Sequence, residues 1–130
     1  MVTSLYAFVF VLLMLYLIMR VVNVRKSKRI LYADGGDELL AQVRTAQMNA
    51  YENIPIFLIL MILLELNQAP IIILHALGIC MLIARITHSY GVLNNKLQGR
   101  IKGMILTIIV IAITAALNLA YLPYDRVFNF

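Results

Sequence analysis

The chain has 130 residues, of which 63% are hydrophobic and only 13% charged, and its mean hydropathy is +0.92. Soluble domains run at about 45–50% apolar and about 25% charged residues, and disordered chains are poorer still in apolar side chains, so both classes are excluded. The net charge is +5, from 11 Lys+Arg against 6 Asp+Glu, but no stripe of alternating basic and aromatic residues accompanies it, so nucleic acid is not an expected partner.

A membrane span takes roughly 20 apolar residues, so the composition suffices for about four spans with short loops and no separate soluble domain. The first span is predicted over 3–24. It is interrupted only by Arg20 and lacks the basic leader and small-residue cleavage site of a signal peptide. Arg25, Lys26, Lys28 and Arg29 follow as a basic cluster, expected to set topology and to meet anionic lipid headgroups. Asp34-Gly35-Gly36-Asp37 reads as a turn, and Asp37-Glu38 stand where acids favour a helix start.

The second helix is predicted over 38–66. Its first half is polar, with Arg44, Thr45, Gln47, Asn49, Glu52 and Asn53; its second half is apolar, and Pro55 is expected to kink it. Glu65 is expected to be interfacial and solvated. A turn at Asn67-Gln68-Ala69-Pro70 leads into a third span over 70–93, which carries Arg85 and His88 in its second half. Cys80, the one cysteine, excludes an internal disulfide and a Cys-based metal cage, and is expected as a packed, inert thiol. No His, Cys and acid spacing suggests a metal. His75 is expected in a packing or polar-end role. A polar loop is expected over 94–102, where Gly99 and Gly103 would allow close helix approach. The fourth span, over about 102–122 and uncharged from Gly103 to Leu122, ends at Pro123, with Tyr121, Tyr124 and Phe128 at an interfacial belt.

Lys and Arg concentrate in the first and third loops; the second loop has none and the C-terminal tail only Arg126. Both basic loops are therefore expected in the cytoplasm and both termini on the other side.

Helix rise places a polar constellation inside this bundle. Measured from the turn joining helices two and three, Glu52 and Arg85 lie at about 20 and 22 Å, and Asn49 and His88 at about 25 and 27 Å. Thr45, Asn49 and Glu52 share one stripe, as do Arg85 and His88. Glu52 is thus expected level with Arg85, and Asn49 with His88. Ionisable groups inside spans are costly and point to function. The same groups would also serve as a structural ion pair with interhelical hydrogen bonds. As a site, the mix suits a small zwitterion with excess negative charge, because Arg binds carboxylates and Glu binds an ammonium. A lipophilic second molecule would enter directly from the bilayer, while Arg44 and Arg100 lie near the cytoplasmic mouth of the same site.

Arg44-Thr45-Ala46-Gln47-Met48-Asn49-Ala50-Tyr51-Glu52-Asn53-Ile54-Pro55 resembles the second-helix signature Arg-Ala-x-x-Asn-x-x-Glu-x-x-Pro of the MAPEG family, the membrane-associated proteins of eicosanoid and glutathione metabolism. Ala46, Asn49, Glu52 and Pro55 match in register. Arg85-Ile86-Thr87-His88 with Ser89 resembles the family's third-helix Arg-x-x-His followed by a small residue, and Arg100-Ile101-Lys102-Gly103 resembles the basic opening of its fourth helix. The resemblance covers essentially the whole chain and is greatest to the short bacterial inner-membrane branch. It implies an all-α, integral-membrane four-helix bundle assembled as a homotrimer, with glutathione bound between subunits. Asn49 and Glu52 would hold its backbone and amino end, with Arg85 and His88 lining the same pocket. Arg100 would stabilise the thiolate, Arg25 would meet the peptide carboxylate, and Arg44 would guard the mouth. Thr45 stands where the family has an arginine, and Val92 where many members have an aromatic hydroxyl.

Two functions follow. One is a glutathione-dependent transferase or peroxidase acting on lipophilic electrophiles. The other is a non-catalytic scaffold or lipid-binding protein on the same fold, since fold alone does not fix activity. A small multidrug exporter has similar length and span number but relies on a carboxylate in its first span, which this chain lacks.

Overall fold

A computed structural model describes residues 1–124; Arg126 and Phe128 lie outside the described residues. It is all helical, with α1 at Val2–Lys28, α2 at Glu38–Leu66, α3 at Ile71–Leu93 and α4 at Leu97–Ala120. All four are long and apolar enough to cross a membrane. The fourth helix starts at Leu97, inside the stretch expected as a polar loop, so Arg100 and Lys102 sit in its first two turns.

Each helix buries one stripe and leaves the rest of its apolar surface outside. The inward residues of α2 run Leu40, Val43, Ala46, Ala50, Ile54, Phe57, Met61 and Leu64, in steps of three and four, which is one face of a 3.6-residue helix. Exposed isoleucines and leucines on all four helices would raise the free energy of a water-soluble protein but not of one surrounded by lipid. Cys80 belongs to this outer face. The packed thiol expected there is not formed, because Leu77, Gly78 and Met81 supply the inward positions of that turn.

The core joins Phe10 of α1 edge-to-face with Phe57 of α2, their ring centroids 5.9 Å apart, and extends through Met61, Leu74 and Met81. α2 and α3 each pack against all three other helices, and α3 and α4 form the most extensive single helix pair. Glycine makes that pair possible. A Cβ on Gly103 would collide with the backbone of His88, and one on Gly91 with the backbone of Arg100.

The helix ends are tied by side chains distant in sequence. Glu65 is not the freely solvated acid expected. Its carboxylate accepts the backbone N–H groups of Val2 and, at 3.0 Å, Thr3, satisfying donors that an α1 N-terminus otherwise leaves open. Nearby, the Tyr6 hydroxyl meets His75 Nδ1 at 3.0 Å, the polar-end role expected of that histidine. At the other end Asp37 caps α2 by accepting from Leu40 N at 2.8 Å, and it pairs with Lys28 at 3.1 Å. The amide bond and then the ammonium hold the Asp37 carboxyl below the ordinary carboxylate range.

Candidate functional site

The centre of the polar constellation is Arg85, whose side chain is fully buried. Its Nη2 donates to Asn49 Oδ1 at 2.7 Å and lies 3.3 Å from His88 Nδ1, while Nη1 donates to Thr107 Oγ1 at 3.2 Å. The Nε of Arg85 has no hydrogen-bond partner. A guanidinium has donors only, so His88 Nδ1 accepts and the ring carries its proton on Nε2. Thr107 in turn donates to the Gly103 carbonyl at 2.8 Å, which fixes its lone pairs toward Arg85.

Local packing explains why these groups meet. The contact of Gly103 with the His88 backbone draws α4 against α3. Thr107, one turn after Gly103, then reaches Arg85. Arg100, one turn before it, lines a cleft of about 300 Å³ with Asn49, His88 and Met104. Because Arg85 occupies the oxygen of Asn49, the Asn49 amide group turns its N–H side toward Met104, with Nδ2 3.9 Å from the thioether sulfur. A directed amide donor, an imidazole and an exposed arginine thus share one cleft.

Two further clefts adjoin it. One, of about 440 Å³, lies where α2 begins against the α3–α4 turn and includes Glu38, Gln42, Thr45 and Arg100. The other, also about 440 Å³, runs along the outside of α2 past Arg44, Thr45, Asn49 and Glu52. Shared lining residues make the three one polar surface at the basic end of the bundle. Gln42 holds its floor, donating to the Val92 carbonyl at 2.6 Å and to Asn95 Oδ1 at 3.0 Å.

Asn49, His88, Arg100, Arg44 and Glu52 therefore come together on this surface, and Arg85 sits directly beneath it. The pairing differs from the one expected from depth. Arg85 engages Asn49 rather than Glu52, because Glu52 points away from α3 and is exposed on the single chain. Lys28–Asp37 is the only ion pair among the described residues, so no Glu52–Arg85 lock exists. Arg25 lies apart from this surface within one chain. It donates to the loop carbonyls of Ala33 at 2.8 Å and Ile30 at 3.4 Å, which fastens the end of α1 to the following turn.

Thr107, Gln42 and Met104 were not legible as site residues. The one signal for Thr107 was a hydroxyl four residues after Gly103 in an uncharged span. Gln42 and Met104 carried none.

The sequence profile of the MAPEG family matches residues 3–120. The chain is 35% identical over 129 residues to a protein named inner membrane protein YecN from Escherichia coli strain K12, covering 99% of this chain and 98% of that one. The protein of the same name from Escherichia coli O6:H1 strain CFT073 matches equally, at 35% over the same length. With a family match across nearly all of the four-helix bundle and a relative alike from end to end, the chain belongs to the MAPEG family.

Proposed function

We propose that this is an integral inner-membrane protein that binds glutathione at the cleft between α2, α3 and α4 and uses it against lipophilic electrophiles as a transferase or peroxidase. The observation that carries the reading is the positive charge around the small cleft at His88, which no acid lines. Arg85 is buried among neutral partners only, and Arg100 adds a second cation in the cleft beside His88. A buried cation with no acid beside it favours an anion nearby.

The donor set fits that ligand. Glutathione carries two carboxylates, one ammonium and one thiol. Arg44 and Arg100 suit its anionic groups, the Asn49 amide its peptide, and Glu52 its ammonium. Arg85 acts as a positioning residue, since it holds Asn49 and His88 in place from below without reaching the cleft itself. Bound glutathione supplies a thiol, and a neighbouring arginine stabilises its more nucleophilic thiolate form.

The exposed acid supports a homotrimer. Glu52 and Thr45 face outward on a helix in a lipid-facing bundle, where a carboxylate costs about 2.5–3.5 kcal/mol on insertion scales. A neighbouring subunit against α2 would remove that cost and close the open side of the clefts. Arg25 would then be supplied to the site from the adjoining chain.

Calorimetric titration of the detergent-solubilised protein with glutathione tests the assignment, together with the ultraviolet signal of bound thiolate. Wild-type protein is expected to bind and to show the signal. Arg100→Ala should remove the signal, and Asn49→Ala and Glu52→Gln should each weaken binding about tenfold, or 1.4 kcal/mol. No binding at millimolar glutathione, or variants indistinguishable from wild type, would overturn the site. Binding of lipid with no thiolate signal and no turnover of aryl halides or lipid hydroperoxides would instead mark a non-catalytic scaffold.

A further inference from the structure

α1 and α3 enclose a groove of about 350 Å³ that shares no lining residue with these clefts and includes Arg20, Tyr16, Ser89 and Tyr90. Its polar groups are poised to donate. Arg20 Nη1 donates to the Tyr16 hydroxyl at 3.5 Å, and Lys96 Nζ donates to the Tyr90 hydroxyl at 3.0 Å. Each phenol oxygen therefore accepts from a cation, which leaves its own O–H proton to donate elsewhere. The Ser89 hydroxyl is 3% exposed and has no hydrogen-bond partner, although a helical serine commonly satisfies itself on the preceding turn. No carboxylate lines the groove, and its walls between the polar groups are apolar, with Leu13 and Ile86.

Depth narrows the occupant. Arg20 lies five residues before Arg25, about 7.5 Å further into the bilayer than the start of the basic cluster. That is the level of a lipid's phosphate and glycerol rather than of the aqueous phase. A guanidinium with flanking hydroxyl donors matches a phosphate diester, and the apolar walls match the acyl chains attached to it.

We propose that the α1–α3 groove is a specific site for an anionic glycerophospholipid, with Arg20 on the phosphate and Ser89, Tyr16 and Tyr90 as supporting donors. Lys96 acts through Tyr90 and adds positive charge at the aqueous edge. The site is separate from the proposed glutathione cleft and does not depend on it.

Native mass spectrometry of the purified protein, exchanged into detergent containing phosphatidylglycerol or phosphatidylcholine, tests this. Wild type should retain phosphatidylglycerol in preference to phosphatidylcholine. Arg20→Gln should lower that retention about fivefold, the scale of one basic contact to anionic lipid. Ser89→Ala and Tyr90→Phe should lower it by smaller factors. Lys26→Gln, on the exposed basic cluster, should change it less than twofold. A photoreactive phosphatidylglycerol should label peptides from α1 and from 86–94, a readout that needs no variant to fold. Equal retention of the two lipids, labelling confined to other helices, or an equal loss in Lys26→Gln would overturn the proposal. Displacement of the lipid by millimolar inorganic phosphate would also overturn it, by showing a site for free anion.

Discussion

Arg85 places a permanent charge where neutral side chains would be easier to bury. Two of its three nitrogens are satisfied by Asn49, Thr107 and His88, and only a planar fork can meet partners on three sides at once. Lysine carries the charge but not the fork. Arg85→Lys is expected to lower the thermal midpoint and to weaken glutathione binding more than tenfold. Arg85→Met removes the charge together with its desolvation cost but leaves Asn49 Oδ1 and His88 Nδ1 without their donor, at about 1–3 kcal/mol for a buried group left unpaired. It should therefore melt below wild type and also lose about tenfold in glutathione affinity, because Asn49 is no longer oriented. Calorimetry and thermal melts on the two variants separate a positioning role from a structural lock. A lock alone would make Arg85→Met lose stability and leave its residual binding unchanged.

Helices α3 and α4 owe their close approach to glycine at particular positions, not to apolar surface in general. At Gly103 an added methyl meets the His88 backbone and its Cβ, none of which swings away. At Gly99 the nearest atom to such a methyl is the Gly91 Cα at 3.2 Å, a contact that a small shift relieves. Gly103→Ala is thus expected to cost about 1–3 kcal/mol by overpacking and to separate Thr107 from Arg85. Gly99→Ala should cost clearly less. Thermal melts of both variants check the order, and equal losses would mean that the seam tolerates widening at His88. The same logic explains how far the helix limits could be foreseen. The Asp37 cap and the turn at Asn67 are local signals, and α2 begins at Glu38 and ends at Leu66 where they place it. The start of α4 is not local. Leu97–Lys102 looks like a loop by polarity, yet it is helical because Gly91 and Gly99 let it pack on the end of α3.

For the whole molecule, the basic loops and the outward Glu52 make two predictions about assembly in the membrane. A reporter fused to the C-terminus is expected on the non-cytoplasmic side, with the loops after α1 and α3 in the cytoplasm. Cross-linking in membranes should trap trimers, and Glu52→Leu should remain assembled while losing glutathione. A cytoplasmic reporter would reverse the topology, and a cross-linked ladder ending at dimers would remove the trimer.

Span number, helix order and the depth of each polar residue were set by the sequence alone, because hydropathy and a rise of about 1.5 Å per residue are one-dimensional properties of a chain. Asn49, Arg85 and His88 were legible as neighbours on that basis. What depth leaves open is rotation about each helix axis and the choice of adjacent helices. The tertiary structure decided that Arg85 takes Asn49 and Thr107 and leaves Glu52 outside. It also decided that Glu65 caps α1 from 62 residues away and that Arg25 serves its own loop. These outcomes depend on glycine contacts and side-chain directions between helices, which exist only once the bundle has packed.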